Sequence, residues 1–367
     1  MLLADLGADV IKIEPPAGDM ARRFGPFVGE ESAFFMSVNR GKRSVVIDLT
    51  TIAGREEVLE LVRFSDVVLH NYRTGVAERL GLGYDSLQPT NPGLVYCAIS
   101  GFGPQGPMAQ RPGMDLLFQS ESGMLAVTGE PGGSPVKVGT NAADVYTATM
   151  ASTTIVAALL GRATSGRGSR IDISARDAFL ALQACSFSSY LATGHQPERL
   201  GSASPFTAPT DVYGTADGSI VLAVINEKHW RILVATLELE INNDDVRFAD
   251  NQARVANSAV LRSLVESALA RQGTSAWLKV FEQAGIPAGR VLTYADVEAD
   301  EQIALNEMIV ALEHATLGTV RVQGSPYWLD GEKARLEIAA PPLGHHTDSV
   351  RAAMAGSSGW PAAKSSS

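Results

Sequence analysis

Cysteine is almost missing from this chain of 367 residues, which holds only Cys97 and Cys185. Each lies in an apolar run and no CxxC pair occurs, so there is neither a disulfide framework nor a zinc knuckle to read. Two buried packing thiols in a reducing compartment are expected. Histidine is sparse too, at six, and none of His70, His195, His229, His314, His345 and His346 falls into HExxH or another ligand spacing. No metal is therefore expected, and His345-His346 reads as a solvated turn. The chain also lacks a GxSxG elbow and a Walker A loop. Positive charge is in deficit, with 30 Lys and Arg against 40 Asp and Glu, a net charge of -10. That balance argues against nucleic acid or an anionic membrane as partner. It leaves room for an anionic ligand, because a few arginines and helix N-termini suffice to hold phosphates. No apolar run reaches the roughly 20 residues of a membrane helix, and Met1 to Asp5 carries no basic leader. A cytoplasmic protein without membrane contact is expected.

What is present is ordinary globular composition, 45% hydrophobic and 19% charged, in a chain long enough for two domains. Met1 to Leu6 reads as the end of a helix with Gly7 as its C-cap, followed by a strand over residues 8–14 stopped by Pro15-Pro16. A parallel sheet would place a strand before that helix. Further strands are predicted at 44–48, 66–70 and 94–100, with helices at 51–64 and near 76–81. Alternation of strands and helices across short glycine-containing joints predicts a doubly wound α/β domain. Residues 144–162, rich in Ala, Thr, Val and Leu, read as a long buried helix. A strand at 170–174 and another apolar helix over 175–192 follow. The domain reading is 1–200 as a large Rossmann-like unit, 201–210 as a linker and 211–305 as a smaller α/β domain. Residues 306–355 return to the large domain, and 356–367 form a low-complexity tail.

Three combinations carry possible chemistry. Asn39-Arg40-Gly41-Lys42-Arg43-Ser44 is a basic loop before a strand, which is also what a solvated connection looks like. His70-Asn71-Tyr72-Arg73-Thr74-Gly75, followed by Arg79-Leu80-Gly81, stands at the C-terminal end of a parallel strand, where open α/β sheets bind ligands. Val138-Gly139-Thr140-Asn141-Ala142-Ala143-Asp144 sets one carboxylate at the start of an apolar helix. On spacing alone Asp144 reads equally as a plain first-turn or capping acid.

These segments, with Asp5-Leu6-Gly7-Ala8-Asp9-Val10, Ser100-Gly101-Phe102-Gly103, Arg111-Pro112-Gly113-Met114-Asp115, Thr164-Ser165-Gly166-Arg167-Gly168, Ala284-Gly285-Ile286-Pro287-Ala288-Gly289 and Pro342-Leu343-Gly344-His345-His346-Thr347, resemble the class III CoA-transferases in order along almost the whole chain. The resemblance implies an interlocked, ring-shaped homodimer whose site lies at a domain and subunit boundary. It implies coenzyme A as a substrate, moved from an acyl-CoA to a carboxylic acid. It also implies Asp144 as the nucleophile and Asp115 as a second acid beside it, with Asn71, Tyr72, Val76, Arg79 and Leu80 along the CoA, Ile47 near the adenine, and Arg111 in the same binding set. Two departures stand out. Pro15 falls where formyl-CoA transferase carries a CoA-contacting arginine, and Ser202 to Pro209 replaces its glycine loop, so formate and oxalate are not implied. The related α-methylacyl-CoA racemases place a histidine where this chain has Met114, a side chain that cannot transfer a proton. A CoA-binding homologue without catalysis is the reading from another class.

Overall fold

The computed structural model describes residues 1–356 apart from residue 243; the expected tail lies outside them beyond Gly356. Contacts divide the chain into two compact units. The first takes Met1–Ser122, Val138–Phe187 and the described residues from Glu298 on. The second takes Gly123–Lys137 and Ser188–Val297. Residues 123–137 and 188–200 thus group with the second unit, where the sequence reading had assigned them to the first.

In the first unit, α1 (Leu2–Asp5) leads into β1 (Val10–Glu14), which pairs in parallel with β2 (Lys42–Val46) so that Ile13 faces Val45. The helix α2 (Ile52–Arg63) starts where Thr51 Oγ1 accepts the Gly54 N–H at 3.0 Å, a side-chain cap on an otherwise orphaned donor. Its buried Val58, Leu61 and Val62 form one helical stripe. A second parallel sheet joins β3 (Val67–His70), β4 (Val95–Ser100) and β5 (Ser169–Ser174), with β4 in the middle. Being central, β4 is apolar on both faces: Val95, Tyr96 and Cys97 are all buried. The short α3 (Val76–Arg79) follows β3 after Gly75, whose φ of +83° suits glycine. Next come α4 (Asp115–Glu121), α5 (Ala142–Ser165) and α6 (Ala175–Leu182).

The long helix α5 corrects two expectations. It is not buried all round: Ala143, Thr147, Ala151 and Ile155, spaced by four, form its buried stripe. Ala151 and Ile155 pack with Val95 and Cys97, while Val145, Val156 and Leu160 are exposed. It is also long and apolar enough by length and composition to cross a membrane. Its hydroxyls are satisfied within the helix, as where Thr147 Oγ1 donates to the Ala143 carbonyl at 2.6 Å. Packing of one stripe on a parallel sheet is the arrangement of an α/β core helix. The helix expected over 175–192 is split into α6 and Ala184–Thr193. Gln183 lies at the break, donating to the carbonyls of Ser122 and Phe179. Cys185, expected to be buried, is exposed; Cys97 is buried as expected.

The segment at His346 and Thr347 lies along β2. His346 N–H donates to the Ser44 carbonyl, and Thr347 Oγ1 accepts from Val46 N–H. His346 Nδ1 accepts from Ser44 N–H, so within the expected turn His345 is exposed while His346 is half-buried against β2. Beneath it the fully buried Glu14 accepts two bonds from Arg22 at 2.7 Å and one from Ser44 Oγ at 2.6 Å. The second unit packs the helices Glu227–Thr236, Ser258–Leu269 and Thr274–Ala284 with a three-stranded antiparallel sheet of β6 (Thr210–Gly214), β7 (Ser219–Ala223) and β8 (Ala288–Arg290), β7 central. Its core includes Ile220, Leu222, Leu233, Val265, Trp277 and Phe281.

Candidate active site

The loops that follow β3 and β4 carry several of the sequence-predicted residues. On one side, His70 closes β3 and hands the chain to the exposed Asn71 and Tyr72. On the other, β4 runs into Phe102, whose ring meets that of Phe118 edge-on at 5.6 Å. Phe118 belongs to α4. A Cβ on Gly113 would stand 2.3 Å from that ring, so only glycine allows the loop before α4 to lie this close.

α4 and α5 meet through two side chains. Asp115 Oδ1 accepts the backbone N–H groups of Ala143 at 2.9 Å and Asp144 at 3.2 Å. These are the second and third residues of α5, whose own N-cap Asn141 makes no side-chain cap. A residue from another helix thus supplies the cap. Gln119, fully buried one turn along α4, holds the rest. Its Nε2 donates to Asp115 Oδ2 at 2.6 Å and to the Thr140 carbonyl, and its Oε1 accepts from Val138 N–H. Sequence reading missed Gln119, although its i,i+4 spacing from Asp115 on a helix was a usable signal.

Asp144 is left projecting from this seat. Its side chain reaches solvent, yet its carboxyl is pushed up from 3.8 to about 6, by burial against the protein first and by the Asp115 carboxylate second. A carboxylate with that pKa is ionised at neutral pH and more basic than an ordinary aspartate.

The other expected residues are placed unevenly. Asn71, Tyr72 and Arg79 are exposed around α3, and Val76 and Leu80 are half-buried beside them. Ile47 is 2% exposed, in the same core cluster as Leu80, and leaves almost no surface to a ligand. Arg111 pairs with Glu121 at 2.6 Å and lies over the Phe102 ring at 5.2 Å. Met114 is exposed at the start of α4. Among the described residues no cluster of metal-ligating side chains occurs.

Comparison with known proteins identifies the family of the chain. Residues 1–347 match the description of CoA-transferase family III. The chain is 39% identical to the succinate–glutarate CoA-transferase of Agrobacterium fabrum, over 96% of this chain and 90% of that one. It is 38% identical to the acetyl-CoA:oxalate CoA-transferase of Acetobacter aceti, over 90% and 84%. Among solved structures, a CaiB/BaiF family protein from Brucella suis superposes with a TM-score of 0.84 at 37% identity, covering 96% of this chain and 93% of its own. The Mycobacterium tuberculosis protein Rv3272 gives 0.82 at 31%, covering 95% and 92%. The chain belongs to CoA-transferase family III and is a CoA-transferase, with CoA as a substrate.

Proposed function

We propose that this enzyme moves CoA between carboxylic acids through a thioester on Asp144. The observation that carries the reading is the division of labour at the start of α5: Asp115 caps the helix, and Asp144, raised to about 6, is left for attack. The Asp144 carboxylate attacks the acyl carbon of the donor and expels CoA thiolate, giving a mixed anhydride. The thiolate then attacks the aspartyl carbonyl, forming aspartyl-CoA and releasing the donor acid. The acceptor carboxylate attacks that thioester and expels the thiolate, which takes the acceptor's acyl group and frees Asp144. Each step exchanges one acyl bond for another, so a single nucleophile divides the transfer into easier parts. Asn71, Tyr72, Val76 and Arg79 line the CoA beside the sheet edge.

The acid substrates we infer are short dicarboxylates, on the support of relatives named for succinate, glutarate, oxalate and mesaconate. A homodimer is part of this reading, supported by the apolar side chains that α5 leaves exposed, Leu160 at 73% among them. Incubation with a panel of acyl-CoAs, a hydroxylamine quench and mass spectrometry test the mechanism. A hydroxamate on Asp144, and no transfer by Asp144→Ala, is the expected result. Wild-type turnover in that variant overturns it.

A further inference from the structure

His70 belongs to neither acid of the proposed mechanism, yet it is built into the edge where CoA is placed. Its Nδ1 accepts the backbone N–H of Tyr72 at 3.2 Å. An N–H can only donate, so Nδ1 carries no proton and Nε2 does. Nε2 then donates to Tyr96 Oη at 2.7 Å, and that hydroxyl donates to the Leu82 carbonyl at 3.2 Å. The relay runs from the core of β4 to the loop with every role assigned. The Tyr72 ring stacks on the imidazole, centroids 5.3 Å apart at 25°, and remains 37% exposed outward. Thr74 Oγ1 is buried without a protein partner, and a cavity of about 30 Å³ lies there.

We propose that His70 is a positioning residue for CoA: as a neutral imidazole it holds loop 71–74 and the Tyr72 ring in the binding geometry, and its protonation releases them. This rests on the placement of CoA along Tyr72. An added proton on Nδ1 would face the Tyr72 N–H, donor against donor, across 3.2 Å. The groups around the ring are Glu78 from α3, Arg170 and Asp172 from β5, and Tyr96 from β4. Glu78 and Asp172 favour the imidazolium and Arg170 opposes it, but burial is the largest influence and lowers the His70 pKa. The neutral form therefore prevails at neutral pH, and the loop is released only as pH falls below the usual histidine range.

The test is KM and kcat for the acyl-CoA donor between about pH 5 and 8, for the full chain, His70→Asn, His70→Phe and Tyr72→Ala. CoA's own phosphate titrates near pH 6, so the difference from His70→Asn, which keeps an uncharged acceptor near Nδ1, is what decides. Wild-type KM is expected to rise about fivefold more than that of His70→Asn toward pH 5, the worth of one hydrogen bond. His70→Phe should show the raised KM at every pH, with kcat at neutral pH kept within about twofold. Parallel KM profiles for wild type and His70→Asn, or an unchanged KM in His70→Phe, overturn the proposal. Tyr72→Ala separates the two readings. If its KM is unchanged, the CoA edge itself is misplaced; if its KM is raised while the wild type tracks His70→Asn, only the role of His70 falls.

Discussion

Asp144→Asn should make this protein more stable at neutral pH while abolishing its turnover. The carboxyl rises from 3.8 to about 6 on folding, so the folded state disfavours its charge. At about 1.36 kcal/mol per pKa unit the ceiling is near 3 kcal/mol. The side chain is open to solvent, and screening reduces this to about 1 kcal/mol. The sign follows from linkage. A carboxyl whose folded pKa is raised contributes stability that is present below the unfolded value, 3.8, and lost as pH rises through about 6. Replacement by the uncharged amide removes that penalty, worth roughly 2 °C in Tm for a chain of this size. Scanning calorimetry of wild type and variant at about pH 7.5 and pH 4.5 reads it directly. The variant should melt higher at pH 7.5, and its advantage should shrink at pH 4.5. An equal or lower Tm at pH 7.5, or a gain that does not shrink on acidification, refutes the reasoning.

The same ionisation sets an acid limb in kcat near pH 6. Asp115→Asn removes the second cause of the shift and should move that limb to lower pH without reaching 3.8, because burial remains; a pH–rate profile checks it. Gln119→Leu should lower kcat about tenfold with KM nearly unchanged, since it loosens the seat of the nucleophile and not the CoA edge; steady-state kinetics separate the two. Arg79→Ala should raise the acyl-CoA KM about tenfold, the worth of one charge-assisted hydrogen bond, with kcat little changed. Glu14→Gln removes one partner of a buried pair with Arg22 and should cost about 3 kcal/mol, several degrees of Tm by calorimetry.

Much of the fold was legible because its signals are local. The β3 and β4 strands are short apolar runs bounded by turns, and α2 shows the stripe Val58, Leu61 and Val62 after a threonine cap. The misreadings have tertiary causes. β2 begins at Lys42, inside the basic loop, because Lys42 pairs with Val10 across the ladder, and pairing cannot be read from one strand. The break at Gln183 comes from an amide that reaches the Ser122 carbonyl, 61 residues away. The apolar composition of α5 reads as full burial, but the sheet covers only the stripe Ala143, Thr147, Ala151 and Ile155. Cys185 was misread for the same reason: apolar neighbours in sequence do not say which face meets a core.

The site shows the same division in sharper form. Spacing alone left Asp144 between two readings, an acid that caps a helix and an acid that attacks. Both call for a carboxylate at a helix start, and a helix N-terminus favours negative charge in either case. The two readings differ in who satisfies the first-turn amides. Asp115 does so, from a residue 29 positions earlier, and Gln119 fixes Asp115 in that duty. A capping carboxylate is tied down by its own hydrogen bonds, which would lower its pKa and its basicity. Asp144 is spared that and is instead pushed up by burial and by the like charge beside it. The resemblance to CoA-transferases points to Asp144 as the proposed nucleophile, and a cap provided from another helix is the physical feature that supports the proposal.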